Sequence, residues 1–276
     1  MRPKIGVALS GGGMRGLAHL GVLAVMQERG VPVDVIAGAS MGGLLGGLYA
    51  AGIAFEDIID LASEIGMGDV ASLDRSWRGV FDHRRFAVLL ADLLGGEDVT
   101  FAQLRIPLAV TAVDLEQREL VILDQGPLIP ALMATSAFPV AFTPVRHQGR
   151  WLVDGGALNN LPVDVVWRMG VDRVLAVDVP PRIELLTESP RQASWQWLTR
   201  GGGWKQPFLI GEATSSMTQQ VINRRRLALC PPDLLLEITM TNVGLFTGMD
   251  NDQIIGAGRE AALSRASALD ALVERP

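Results

Sequence analysis

The sequence predicts an α/β protein whose mostly parallel central sheet is covered by helices on both faces. Three observations carry this. Short apolar runs at 4–9 and 32–37 each lead through a glycine-bearing turn into a helical pattern, which makes a βαβα start. Further β-like runs at 106–113 and 173–179 alternate with helical segments. Finally, 35–55 carries no charge over a length able to span a bilayer, yet its six glycines, Ser40 and Tyr49 fit a buried strand, turn and helix instead.

Taken in order, 4–9 is a buried strand and Ser10-Gly11-Gly12-Gly13-Met14-Arg15-Gly16 the loop after it. Helical spacing over 17–29 follows, with Gly30 as its cap. The second strand and a helix over 41–51 come next, where Gly42/Gly46 and Gly43/Gly47 imply close packing against the sheet. An amphipathic helix covers 55–65, and 66–96 turns irregular and polar, a candidate lid with a short helix at 85–94. The strand at 106–113 has a hairpin partner at 119–123, then a helix at 128–136 and a short strand at 151–153 that runs into Asp154-Gly155-Gly156. A helix at 163–169 and a strand at 173–179 complete the sheet, after which helix 208–229, strand 234–239 and helix 253–273 end the chain. We therefore expect one domain over 1–276 with a core at about 4–180, an insertion at about 180–207 and a C-terminal extension over 208–276.

Composition narrows the function. With 276 residues and 49% hydrophobic content the chain builds a sizeable core. A formal charge of −6 argues against a nucleic-acid partner, and Arg224-Arg225-Arg226 reads as a solvated helix face. The single cysteine, Cys230, forms no intrachain disulfide, and no Cys or His cluster has metal-ligand spacing. The apolar run at the N-terminus is too short for a secretory signal, so a cytoplasmic location is expected.

Chemistry centres on Gly38-Ala39-Ser40-Met41-Gly42. A strand entering a tight turn and a helix leaves the turn residue in a strained backbone and presents its hydroxyl at the sheet edge. The pattern alone is cheap, so its context decides. Gly11-x-Gly13-x-x-Gly16 satisfies a dinucleotide fingerprint, but that fold wants an acid at the end of the second strand, where Ser40 stands; Asp34 lies at its start. The same loop serves acyl transfer, because its N–H groups point at negative charge above them, and losing one such donor raises the barrier by about 3–4 kcal/mol. A serine nucleophile also needs a base. Only His19, His83 and His147 are available, none follows Asp154, and all three read as packed or surface residues. Asp154 is the better candidate, since its apolar strand limits solvation and raises a carboxylate's pKa toward a range useful for proton transfer.

These residues give the chain a marked resemblance to bacterial patatin-like phospholipases. Gly11 to Gly16, Gly38 to Gly42 and Asp154-Gly155-Gly156 match in order, as do the stretches GGLLGGLYAAG, LRIPLAVTAVDLE, ATSAFPVAFTPV and WLVDGGALNNLPVDVV. The resemblance implies a three-layer sandwich and a metal-independent, cofactor-free lipid acyl hydrolase. It implies Ser40 as nucleophile, Asp154 as general base and Gly11, Gly12, Gly13, Met14 and Arg15 as the oxyanion loop. Ser10 stands where plant members usually carry aspartate. The substrate implied is a lipid or other acyl ester. Trp195, Trp197 and Trp204, with Leu185 and Leu186, fit either transient contact with a membrane surface or packing of the insertion onto the domain. A regulatory protein that keeps the fold with little activity is the alternative function.

Overall fold

The computed structural model describes residues 2–66, 72–73, 81–82, 84–139, 142–180, 205–240 and 250–274. Its spine is a sheet in the order β10-β9-β1-β2-β5-β8-β7, with β6 also paired to β5. The parallel part consists of β1 (Ile5–Leu9), β2 (Val35–Gly38), β5 (Leu108–Asp114), β9 (Arg173–Asp178) and β10 (Leu234–Glu237). The antiparallel part consists of β6 (Glu119–Leu123), β7 (Val145–His147) and β8 (Arg150–Asp154). A separate pair joins β3 (Ser72–Leu73) to β4 (Phe81–Asp82). The mostly parallel sheet expected from the βαβα start is present, and 119–123 is the hairpin partner of β5.

Period-two alternation sends the strand residues to two cores. Ile5, Val7, Leu9, Ile36, Leu175 and Val177 face one layer, whereas Ala8, Val35, Ala37, Val174 and Ala176 face the other. The first layer holds α1 (Ala18–Glu28), α2 (Ser40–Ala51), α4 (Arg84–Leu94) and α5 (Leu128–Thr135). The second holds α7 (Val163–Arg168), preceded by the single turn α6 (Gly156–Asn159), and part of α8 (Lys205–Leu229). Helix α3 (Phe55–Gly66) follows α2, and α9 (Asn251–Ser264) lies along α1, where Arg259 pairs with Glu28 at 2.7 Å.

Several expectations shift in detail. The terminal helix is two helices, because the backbone leaves helical geometry at Arg265 (φ −118°) before α10 (Ala266–Ala271). Helix α8 begins at Lys205, with Pro207 in a first turn that needs no N–H from it. The glycines of α2 split their work: Gly42 and Gly46 approach β1 and β2, but Gly43 and Gly47 approach Thr135 and Leu132 of α5. Within the candidate lid, α4 buries Phe86, Leu90 and Ala91 in the first core, so this part is a core helix. Of the arginine triplet, Arg224 and Arg225 are exposed, while Arg226 donates to the Leu158 carbonyl at 3.2 Å and pairs with Asp164. The insertion's interior, with Leu185, Leu186, Trp195, Trp197 and Trp204, lies outside the described residues, as do Trp77 and His83.

Candidate active site

Four chain segments converge at the C-terminal edge of the parallel strands. Strand β1 delivers the loop that starts at Ser10, β2 delivers Ser40, and β9 ends at Asp178. Strand β8 arrives from the opposite direction. Its register against β5 pairs Asp154 with Ala112, two residues beyond the level at which Gly38 pairs with Val110, so its last residue reaches the same edge. Gly11, Gly12, Ser40 and Asp154 thus line one cleft.

Ser40 has φ +52°, a left-handed backbone that a residue with a Cβ rarely adopts. The strain is held by neighbours: the Ala39 N–H donates to the Leu9 carbonyl at 3.2 Å, and the Ser40 N–H donates to Thr135 Oγ1 at 2.9 Å. Gly42 is required by close approach, since a Cβ there would stand 2.5 Å from both the Leu9 and Ser10 carbonyl oxygens. That contact seats the first turn of α2 on the end of β1 and leaves Ser40 at the helix N-terminus.

Ser40 and Asp154 line the cleft together, and the serine hydroxyl favours the ionised form of the Asp154 carboxyl. Asp154 is 3% exposed, and it accepts the Gly156 N–H at 2.7 Å. Burial pushes its carboxyl up to about 6, against the opposing pull of the Ser40 hydroxyl and the Gly156 hydrogen bond. The sequence reading expected this direction from the apolar strand. Gly155 permits the turn because a Cβ would meet the Thr111 backbone at 2.3 Å.

Above Ser40 lies the glycine loop. Gly13, Met14, Arg15 and Gly16 form a single 3₁₀ turn over Gly13–Leu17, whose first N–H groups have no partners within the helix. Gly11 is locked to the segment after Asp154 by two hydrogen bonds with Asn160. Arg15 is buried, and its Nε donates to the Val179 carbonyl at 3.3 Å.

The two described histidines, His19 and His147, stay outside this arrangement. His19 is fully buried and its Nε2–H donates to the Ser10 carbonyl at 2.8 Å, which buttresses the loop; burial lowers its pKa to about 4, so it is neutral. His147 corrects the surface expectation, because it is buried at the end of β7, where burial lowers its pKa. It stands opposite Arg150, four residues along β8 from Asp154 and so roughly 13 Å away.

Sequence reasoning missed three contributors. Asp178, 9% exposed, lines the cleft; burial pushes its carboxyl to about 6 against the opposing influence of the Ser10 hydroxyl, and Ser10 Oγ accepts the Val179 N–H at 3.0 Å. Ser10, noted only as a departure, is therefore a joint between two strand ends. Asn160 was visible as a polar pair, Asn159-Asn160, inside an apolar stretch. The third is a row of polar residues on α8, Ser216, Gln219, Gln220 and Asn223, which faces the cleft at helical spacing.

Comparison with known proteins bears on the family and the fold. An uncharacterized NTE family protein of Mycobacterium bovis is 33% identical over 180 residues, covering 64% of this chain and 49% of that protein. A lysophospholipase of Mycosarcoma maydis is 32% identical over 184 residues, covering 64% of this chain but 10% of that protein. The chain thus spans about half or less of the length of these relatives. In architecture it resembles VipD from Legionella pneumophila, with a TM-score of 0.65 at 18% identity over 98% of this chain and 67% of that one. The model of the patatin-like phospholipase family matches residues 7–167, a stretch that contains the glycine loop, the serine turn and the Asp154 turn together. The chain belongs to the patatin-like phospholipase family.

Proposed function

We propose that this protein is a lipid acyl hydrolase of the phospholipase A or lysophospholipase type, working through a Ser40–Asp154 dyad. The observation that carries the reading is a strained, helix-terminal serine sharing one cleft with a buried carboxylate whose pKa is raised to about 6. At neutral pH such a carboxylate is ionised yet more basic than an exposed aspartate. The relatives named as lysophospholipases and the family model support a lipid ester as substrate.

In this mechanism Ser40 Oγ attacks the ester carbonyl while Asp154 takes its proton. The carbonyl oxygen becomes an oxyanion, held by N–H groups from Gly12, Gly13, Met14 and Arg15 of the loop that starts at Gly11, whose own N–H is taken by the Asn160 carbonyl, and the α2 N-terminus adds favourable potential. Collapse breaks the bond to the alcohol, which leaves with the proton from Asp154. Water, deprotonated by Asp154, then attacks the acyl-enzyme, and the fatty acid departs as Ser40 recovers its proton. No residue of this scheme requires a metal or cofactor.

No helix among the described residues is long and apolar enough to cross a membrane. A cytoplasmic enzyme that meets lipid transiently at a membrane surface fits this reading. A turnover screen over short-chain esters, lysophospholipids and diacyl phospholipids tests it, with Ser40→Ala as blank. Binding of a protein partner that survives Ser40→Ala, with no ester turned over, would favour the regulatory alternative.

A further inference from the structure

Around Ser216 to Asn223, helix α8 is amphipathic in the reverse sense. A surface helix ordinarily buries its apolar stripe and exposes its polar one. Here Met217, Val221 and Leu229 are 61%, 50% and 87% exposed, while Ser216 and Asn223 are 7% and 5% exposed. Ser216, Gln219, Gln220 and Asn223, at i, i+3, i+4 and i+7, turn one polar row onto the cleft that holds Ser40 and Asp154.

This row is not consumed by internal bonding. Asn223 Oδ1 is buried without a hydrogen-bond partner among the described residues, and Gln219 reaches only Ser215, at 3.5 Å. A buried carboxamide left unpaired costs stability that a protein normally avoids. Such a cost on a cleft wall is recovered when a ligand supplies the missing partner.

The chemistry of the wall selects that partner. Phe138 and Pro180 are the apolar side chains of the described lining; the rest are glycine or polar. Acyl methylenes gain little there. The row itself is uncharged, so it has no formal charge with which to favour an ionic head group. A hydroxyl both donates and accepts, so it pairs with a carboxamide in either orientation.

On the reading of the site as an ester hydrolase, we propose that the α8 row binds the leaving alcohol of the substrate through a free hydroxyl, with Asn223 as the principal specificity-determining residue. The substrates favoured are then esters whose alcohol part keeps an unacylated hydroxyl, as in a monoacylated glycerol. Esters of a simple alkanol leave Asn223 unsatisfied in the complex and react more slowly.

The test compares 1-butanoylglycerol with propyl butanoate, which share an acyl group, are both monomeric in dilute solution and differ in the hydroxyls of the leaving alcohol. The native protein is expected to prefer the glycerol ester in kcat/KM by about tenfold or more. Asn223→Leu is expected to bring that ratio to about two or less, and Gln219→Ala, on a half-buried residue, to lower it about threefold. A ratio within one protein cancels any loss of folded fraction, and Gln219→Ala decides the matter where Asn223→Leu does not fold. A native ratio below about two, or one that both variants leave unchanged, overturns the proposal. Turnover of p-nitrophenyl butanoate by the native protein reports on the hydrolase reading separately: its presence with a flat ratio removes only the α8 assignment, and its absence removes both.

Discussion

Gly11 and Asn160 are hydrogen bonded to each other twice: the Gly11 N–H donates to the Asn160 carbonyl at 3.1 Å, and Asn160 Nδ2 donates to the Gly11 carbonyl at 3.2 Å. The pair ties the loop after β1 to the segment after Asp154, so the proposed oxyanion donors and the proposed general base are set in position by one joint. A Cβ on Gly11 would stand 2.5 Å from Asn160 Oδ1 and 2.8 Å from Ser40 Cβ, which measures how closely the parts meet.

Asn160→Ala removes the side-chain half of that joint. Small misplacement of catalytic groups is expensive in rate, so kcat on an aryl ester is expected to fall about 10- to 100-fold with KM changed about twofold or less. Steady-state kinetics check this. An unchanged kcat would mean that the loop is held elsewhere.

The pH profile follows from Asp154. Its carboxyl must be ionised to accept a proton, and burial holds its pKa at about 6. In the free enzyme, kcat/KM is expected to rise tenfold per pH unit up to about 6 and then level. His147→Ala is expected to leave that limb in place. A limb that disappears with His147→Ala would assign the base to imidazole.

Stability moves the other way. The Asp154 pKa is 3.8 in an unperturbed chain and about 6 when folded, so between those values the folded state binds more protons than the unfolded state. The stabilising contribution is full below about 4 and lost as pH rises through 6, leaving a cost of roughly 3 kcal/mol at neutral pH. Asp154→Asn removes the charge and keeps the shape. Its Tm is expected to exceed the native value by several degrees at pH 7.5, with the gap closing toward pH 4.5, while ester turnover falls at least about 1,000-fold. Thermal melts across that range decide it.

Much of the site was legible in the sequence because its demands are local. The glycines around Ser40 answer a backbone at φ +52° and a helix seated on β1, and those needs leave a mark at fixed spacing. The strand ends at Gly38 and Asp154 were readable for the same reason. What could not be read is nonlocal. Asn160 pairs with a residue 149 positions away, Ser10 is bonded to Val179 at the end of β9, and Ser40 N–H finds Thr135 in another helix. Helix α8 gave no warning because its polar row, seen without its neighbours, resembles an ordinary solvated face. His147 was misplaced for a related reason: the turn at Gln148-Gly149 suggests a surface, but the residue before it packs inward.

The central claim is that Ser40 is a nucleophile activated by Asp154, and active-site labelling measures it most directly. Native protein treated with a fluorophosphonate at pH 7.5 is expected to gain one covalent adduct, mapped by peptide mass to Ser40, and Asp154→Asn is expected to slow that reaction by at least about 100-fold. Folded native protein that takes up no label, or label on any residue other than Ser40, would contradict the account.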